Sequence, residues 1–554
     1  MPGVTQLRVA RSEIMKQAAP YATRSAALAA CLVMLVIAFF SSASVAAPGS
    51  GTASAAPAGS VVAGGAGTWT FTYTAADTFI AGTVRLTIPS GWTAPQEASP
   101  TSAGYVTVSS TGTLGAPGVS IAGSVITVNV AALDTAQTIE IVYGDPSIDA
   151  GGRAVAQTSV SSGVAFIVES DPEGSSPSPI ASSPSLDVVA GPPAKLLFLT
   201  PPRTFTADGE SAVMRVRALD GFDNPAPVAA DQEIDLVSSA TTGRFSHLGG
   251  GAFVETGSVT MTSGTDTVSF YCRDTVAGGK TITVSAAGQS WTNAQQAATV
   301  QPGAPFRLTA SPSDTTIIAG DFARYRIRVE DAEGNPSAPA SSQVIELLGQ
   351  PGSFYTISDH VTAVTSITIA AGTHTVSVDY QNTTKEMSLQ YVLGFLDNNG
   401  VPPTLESAST MLFVDNGPLS PVASEISALK PTAIADGVDS IGIMVWAHDA
   451  YYNGVDGAPV TITSTGTQNV IWQSSSVTSG TGTVVGSIKS TKAEGKQLNA
   501  TISGTPLAVP APVTFTAGSF SPSVSTVAAI PATVVANGVD TTVVTVTVKD
   551  AQGN

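Results

Sequence analysis

At 554 residues the chain is too long for one hydrophobic core, and ordinary domain sizes divide it into about four or five units. Only 12% of residues are charged, against 53 glycines and 36 prolines, a composition of short strands and turns rather than helices. The formal net charge of −18 argues against nucleic acid, heparin-like polyanions and anionic lipid surfaces as partners.

The first element is an address. Arg8, Arg11, Lys16 and Arg24 precede an apolar run over residues 26–40, and "SSASVAAPGS" follows with the small residues a signal peptidase requires. Cleavage is expected between Ala46 and Ala47, which makes 1–46 a signal peptide. The run is short for a spanning helix, so no membrane segment is expected in the mature chain. Removing 1–46 takes away four basic residues and one acidic residue, leaving 19 against 40 and a net charge of −21. Cys31 goes with it and Cys272 remains alone, so no intrachain disulfide can form and hydrophobic cores must hold the fold.

Residues 47–169 read as an N-terminal β-sandwich. Trp69, Phe71 and Tyr73 alternate with threonines in "TWTFTYT", and 83–96, 124–130 and 138–144 supply further strands. The Ser/Pro-rich stretch 170–190 reads as a solvated linker or loose loop.

A repeat follows. Aligned on Asp220, Asp331, Asp449 and Asp550, the residues two, four and six positions earlier are Ala218/Val216/Met214, Val329/Ile327/Tyr325, Ala447/Val445/Ile443 and Val548/Val546/Val544. All are apolar and alternate with mostly polar neighbours, the period of a strand with one buried face. A second landmark, a Gly-Thr turn at Gly264, Gly372 and Gly480, recurs every 108 residues. Two landmarks at one period indicate tandem duplication. Units of about a hundred residues with many short alternating strands are β-sandwiches. The units expected are 191–301, 302–415 and 416–518, with 519–554 the start of a truncated further repeat, so that the reading frame is expected to continue. The fold class is therefore all-β, with tandem Ig-like sandwiches behind a signal peptide.

The closing stretch "STVAAIPATVVANGVDTTVVTVTVKDAQGN" at 525–554, and less regularly "PTAIADGVDSIGIMVWAHD" at 431–449, resemble the opening of the bacterial Ig-like (Big-1) domains of invasin- and intimin-type proteins. The units at 191–301 and 302–415 match only in the strand and the Asp…Asn-Pro turn. The resemblance implies Ig-like sandwiches used as a spacer or adhesive segment on a bacterial surface.

Little in the sequence points to catalysis. His247, His360, His374 and His448 stand singly, none at metal-ligand spacing, and His448 falls on the polar strand face. There is no nucleophile elbow or phosphate-cradling glycine loop. No catalytic or cofactor-binding residue is assigned. The five tryptophans are expected in or beside cores, and Cys272 is expected to pack as a small apolar residue. Asp220, Asp223, Asp331 and Asp397 lie in Asp/Asn/Gly-rich turns that could offer oxygen ligands to Ca²⁺, although the same residues are what β-turns need.

These observations favour a non-catalytic, extracellular or cell-surface repeat protein acting as an adhesin stalk or spacer, with a host or cell-surface protein or glycan as partner and any anchor downstream. Two alternatives stand beside it: accessory sandwiches of a secreted hydrolase whose catalytic domain lies beyond residue 554, and a calcium-stiffened S-layer-like component.

Overall fold

The computed structural model describes residues 49–554 apart from 313, 387–389, 399 and 401–403. The signal segment, with Ala46 and Ala47, lies outside the described residues. The described residues form two compact units, one running up to Pro193 and including 219–227, the other made of 194–218 with 228–554.

In the first unit the alternating aromatics dictate the core. Strand Trp69–Thr74 pairs with Thr52–Ala56 and Thr138–Tyr143 and turns Trp69, Phe71 and Tyr73 inward. Facing it is a five-stranded sheet ordered Ser178–Pro179, Ile167–Asp171, Phe79–Thr87, Val125–Leu133 and Thr113–Ala122. Between the sheets Phe71 meets Phe166 at 4.7 Å and Trp69 meets Trp92 edge-on at 4.9 Å, within the range of favourable ring pairs.

Residues 170–190 are not a solvated linker. Ile167–Asp171 pairs with Phe79–Thr87, and Ser185–Val189 runs between Ser161–Ala165 and Gly59–Val62. Ile180, Leu186 and Val188 are buried in the same core as the aromatics. Averaged composition hid them: three apolar side chains at inward positions suffice for burial when serine and proline occupy the exposed ones.

The second unit contains three sandwiches of one plan. In each, the apolar triplet lies on the second strand of one sheet: Met214–Leu219, Phe322–Glu330 and Ile441–Trp446. All nine inward residues of these triplets, Ala447 lying just past its strand, are fully buried. The chain begins each repeat on that sheet, at Lys195–Phe198, Arg307–Ser311 or Glu425–Ala428, then crosses to the other. The crossings fall at Pro201-Pro202, Pro312 and Pro431, where a residue without an N–H cannot extend an antiparallel ladder. Beyond each crossing Arg203–Thr206, Asp314–Ile318 and Thr432–Ile434 run parallel to the repeat's last strand. This edge exchange couples the start and end of every repeat to both sheets.

The fourth triplet behaves differently. Thr526–Ile530 and Val543–Thr547 form a two-stranded hairpin, and Val544, Val546 and Val548 are about 60% exposed. Among the described residues no second sheet covers them.

Candidate functional site: a repeated junction clamp

The Asp that closes each apolar strand is buried: Asp220, Asp331, Asp449 and Asp550 are all at most 2% exposed. A carboxylate taken out of water needs donors, and each of these receives four from N–H groups. One oxygen accepts the backbone N–H groups two and four residues on, which folds the turn: Phe222 and Asn224, Glu333 and Asn335, Tyr451 and Asn453, Gln552 and Asn554. The other accepts the N–H of a glycine about thirty residues upstream (Gly191, Gly303, Gly417 or Gly518) and the side-chain amide of that same Asn. All sixteen distances lie between 2.7 and 3.0 Å. Glycine suits the linker position because the backbone comes close: a Cβ on Gly303 would stand 3.3 Å from that of Asp331.

The Asn then reaches away from its own turn. Asn335 Nδ2 donates to the Thr275 carbonyl at 2.8 Å and its Oδ1 accepts from Ala277 N–H at 2.7 Å. Asn453 does the same with Thr383 and Lys385, both at 2.8 Å, and Asn554 with Thr491 and Ala493 at 2.9 and 2.8 Å. In these three cases the partner loop belongs to the preceding sandwich of the second unit. The amide thus imitates one residue of a β-ladder across the junction. The fourth instance lies within the first unit, where Asn224 grips Thr158 and Val160 at 2.7 and 3.1 Å.

In the second unit the receiving loops are pre-shaped. Asp274, Asn382 and Ser490, each just before the accepting threonine, are buried and accept the N–H two residues on. Burial by itself would push the Asp220 and Asp331 carboxyls up, but the Asn amide and backbone donors outweigh it and hold both below the usual carboxylate range. At Asp550 the Asn554 amide is the leading influence, and the carboxyl falls to about 2.

The calcium candidates are distributed by this geometry. Asp220 and Asp331 sit at the centre of clamps, their lone pairs directed at N–H donors that a cation would have to displace. Asp223 is an exposed residue of the first turn at φ +70°, and Asp397 ends a strand, where one oxygen accepts from Leu405 N–H. These four are not brought together. Among the described residues no cluster of three or more His, Cys, Asp or Glu side chains is placed to hold a metal ion.

Two histidines are less solitary than their sequence positions imply. His360 Nε2 lies 2.7 Å from Asp379, which Arg324 also grips at 2.8 and 3.0 Å, and the His360 ring stacks on Phe322 at 4.1 Å. The Arg324 guanidinium leads in holding the Asp379 carboxyl below the usual range. With both oxygens of the acid engaged, by Arg324 and by His360, the group ties neighbouring strands together on a sheet face. His448 is half-buried, its Nδ1 3.0 Å from the Ala423 carbonyl. Trp472 is 58% exposed on an edge strand, unlike the buried Trp69 and Trp92. Cys272 is buried, and that burial leads in pushing its thiol up to about 12.

The clamp's asparagines, each four residues after its Asp, read in the sequence as turn residues and not as contacts to the preceding unit. The signal that could have found them is the co-occurrence of that spacing with a threonine turn late in the unit before.

A family model for the bacterial Ig-like domain, group 1, matches residues 423–516. This chain carries a bacterial Ig-like domain of group 1. The matched Big-1 segment includes 431–449, where the resemblance is the less regular, but not 525–554, where it is the closer. No curated protein sequence matches the chain. Solved structures similar to it include invasin, described as a bacterial integrin-binding protein, at 15% identity over 60% of this chain and 61% of that one, TM-score 0.31. Another is FdeC, an Escherichia coli adhesin, at 16% identity over 60% of this chain and 100% of that one, TM-score 0.34. A third is InvD of Yersinia pseudotuberculosis, at 18% identity over 45% and 71%, TM-score 0.29. The chain spans about three fifths of the invasin structure. The all-β tandem architecture rests on the chain's own strands.

Proposed function

We propose that this chain is a non-catalytic spacer of a bacterial surface or secreted repeat protein, an adhesin stalk that is exported by residues 1–46 and built from units at 191–301, 302–415 and 416–518. The observation that carries this reading is the clamp. One Asp, one Asn and one Gly, with a receiving threonine turn, recur at every junction of the second unit with the same hydrogen bonds. A solvent-exposed linker alone leaves neighbouring domains free to reorient. Paired backbone-like bonds from an Asn amide that a buried carboxylate holds in place restrict that freedom, which is what holding a distant binding element at a set position requires. The Big-1 segment at 423–516 agrees with this setting, and a host or cell-surface protein or glycan is the partner class proposed.

Small-angle scattering of the full chain tests the spacer. Replacing both Asn335 and Asn453 with alanine should broaden the distribution of interatomic distances while circular dichroism stays unchanged. Identical scattering profiles for the two proteins would sink the reading. Surface placement is tested by protease treatment of intact cells, which should release the chain. Full protection in intact cells, with cleavage after lysis, would contradict it.

A further inference from the structure

The three clamps that lie inside the chain share geometry but differ in the residue after the Asn. Pro225 follows Asn224 and Pro336 follows Asn335, whereas Gly454 follows Asn453. The difference is chemical. An asparagine loses ammonia when the next residue's backbone nitrogen attacks its side-chain carbonyl carbon. Proline has no N–H to give up and blocks that route, while glycine, with no Cβ, leaves its nitrogen the freest approach. Packing enforces the glycine, since a Cβ at 454 would stand 2.3 Å from the Thr481 carbonyl oxygen.

We propose that Asn453–Gly454 is a deamidation site gated by its own junction, converting only while the clamp is open and then preventing its closure. In the step, the Gly454 nitrogen bonds to Asn453 Cγ and the Cγ–Nδ2 bond breaks. The Gly454 proton leaves with the amide as ammonia. Water then opens the succinimide at either carbonyl, giving aspartate or isoaspartate.

The closed clamp opposes the first step. Asn453 Nδ2 is held by Thr383 O at 2.8 Å and Asp449 Oδ2 at 2.7 Å, and Oδ1 by Lys385 N–H at 2.8 Å. These bonds come from three directions and two sandwiches, so Cγ cannot turn toward the Gly454 nitrogen. After conversion to aspartate, an oxygen stands where Nδ2 was. It faces the Thr383 carbonyl and the Asp449 carboxylate, two acceptors with no hydrogen between, one of them charged. Isoaspartate adds a methylene to the turn backbone and misplaces the group altogether. Either product records an opening that ammonia loss makes irreversible. The junctions at Asn224 and Asn335 are exempt.

The chain carries its own comparator. Asn537–Gly538 has the same dipeptide in an exposed turn of the terminal hairpin. The chain from residue 47 onward is incubated in mildly alkaline buffer, with and without urea, and the peptides containing Asn224, Asn335, Asn453 and Asn537 are followed by mass spectrometry with isoaspartate detection. Asn453 should convert about tenfold or more faster in urea than in native buffer. Asn537 should convert readily in both, and Asn224 and Asn335 in neither. Equal rates at Asn453 with and without urea would overturn the gating. No conversion of Asn453 in urea, where Asn537 converts, would overturn the site itself. Hydrogen exchange at Lys385 N–H supplies a second reading. After urea is removed it should stay fast in converted molecules, and recovery of protection would refute irreversibility. Direct replacement Asn453→Asp should reproduce the open state without any incubation, and a protected Lys385 amide in that variant would count equally against the proposal.

Discussion

Replacing Asn335 with alanine isolates what one clamp contributes. The substitution removes three hydrogen bonds: to Thr275 O, from Ala277 N–H, and to the Asp331 carboxylate. Two neutral bonds at about 1 kcal/mol each and one to a charged group at about 2 give a ceiling of about 4 kcal/mol. Thr275 and Ala277 are only half-buried, so water replaces part of what they lose, and about 2 kcal/mol is expected. Amide hydrogen exchange reads this locally. Ala277 N–H should exchange about 30-fold faster in the variant, since about 1.4 kcal/mol corresponds to a factor of ten. Gly303 N–H, whose bond to Asp331 survives, should change far less, and strand amides of Phe322–Glu330 should not change. Asn335→Asp should be worse than alanine, because it sets a second carboxylate against Asp331. Unchanged exchange at Ala277, or a milder effect for aspartate than for alanine, would refute the clamp as a source of coupling.

Acid should loosen the junctions in a defined sense. The Asp331 carboxyl titrates lower in the folded chain than unfolded, so its contribution is complete above about pH 4 and disappears as pH falls through the lower folded value. Asp550, at about 2, should hold its proton off longest, which carboxyl carbon shifts in an NMR titration would reveal. Millimolar Ca²⁺ should leave the melting temperature unchanged because the buried turn carboxylates already face N–H donors, and a clear rise by calorimetry would contradict that account. With Cys31 changed to serine, a disulfide reagent at neutral pH should find no reactive thiol until denaturant exposes Cys272, and rapid native labelling would show its strand opening freely.

The period-2 triplets and the two landmarks recurring at about a hundred residues are local facts, and they fix an all-β tandem chain from the sequence alone. Strand periodicity reports burial directly, because alternate side chains must take opposite faces. Composition was misleading at 170–190, where a serine- and proline-rich average concealed Ile180, Leu186 and Val188, and the burial of those residues depends on a sheet more than eighty positions away. The clamp was half legible. Its Asp and turn are visible in four aligned copies, but the upstream Gly and the receiving threonine turn lie about thirty and sixty residues away. Whether a turn carboxylate binds a cation or N–H donors depends on which backbone the fold delivers to it. That choice belongs to tertiary structure, since the sequence specifies the acceptor while only the packed junction supplies the donors.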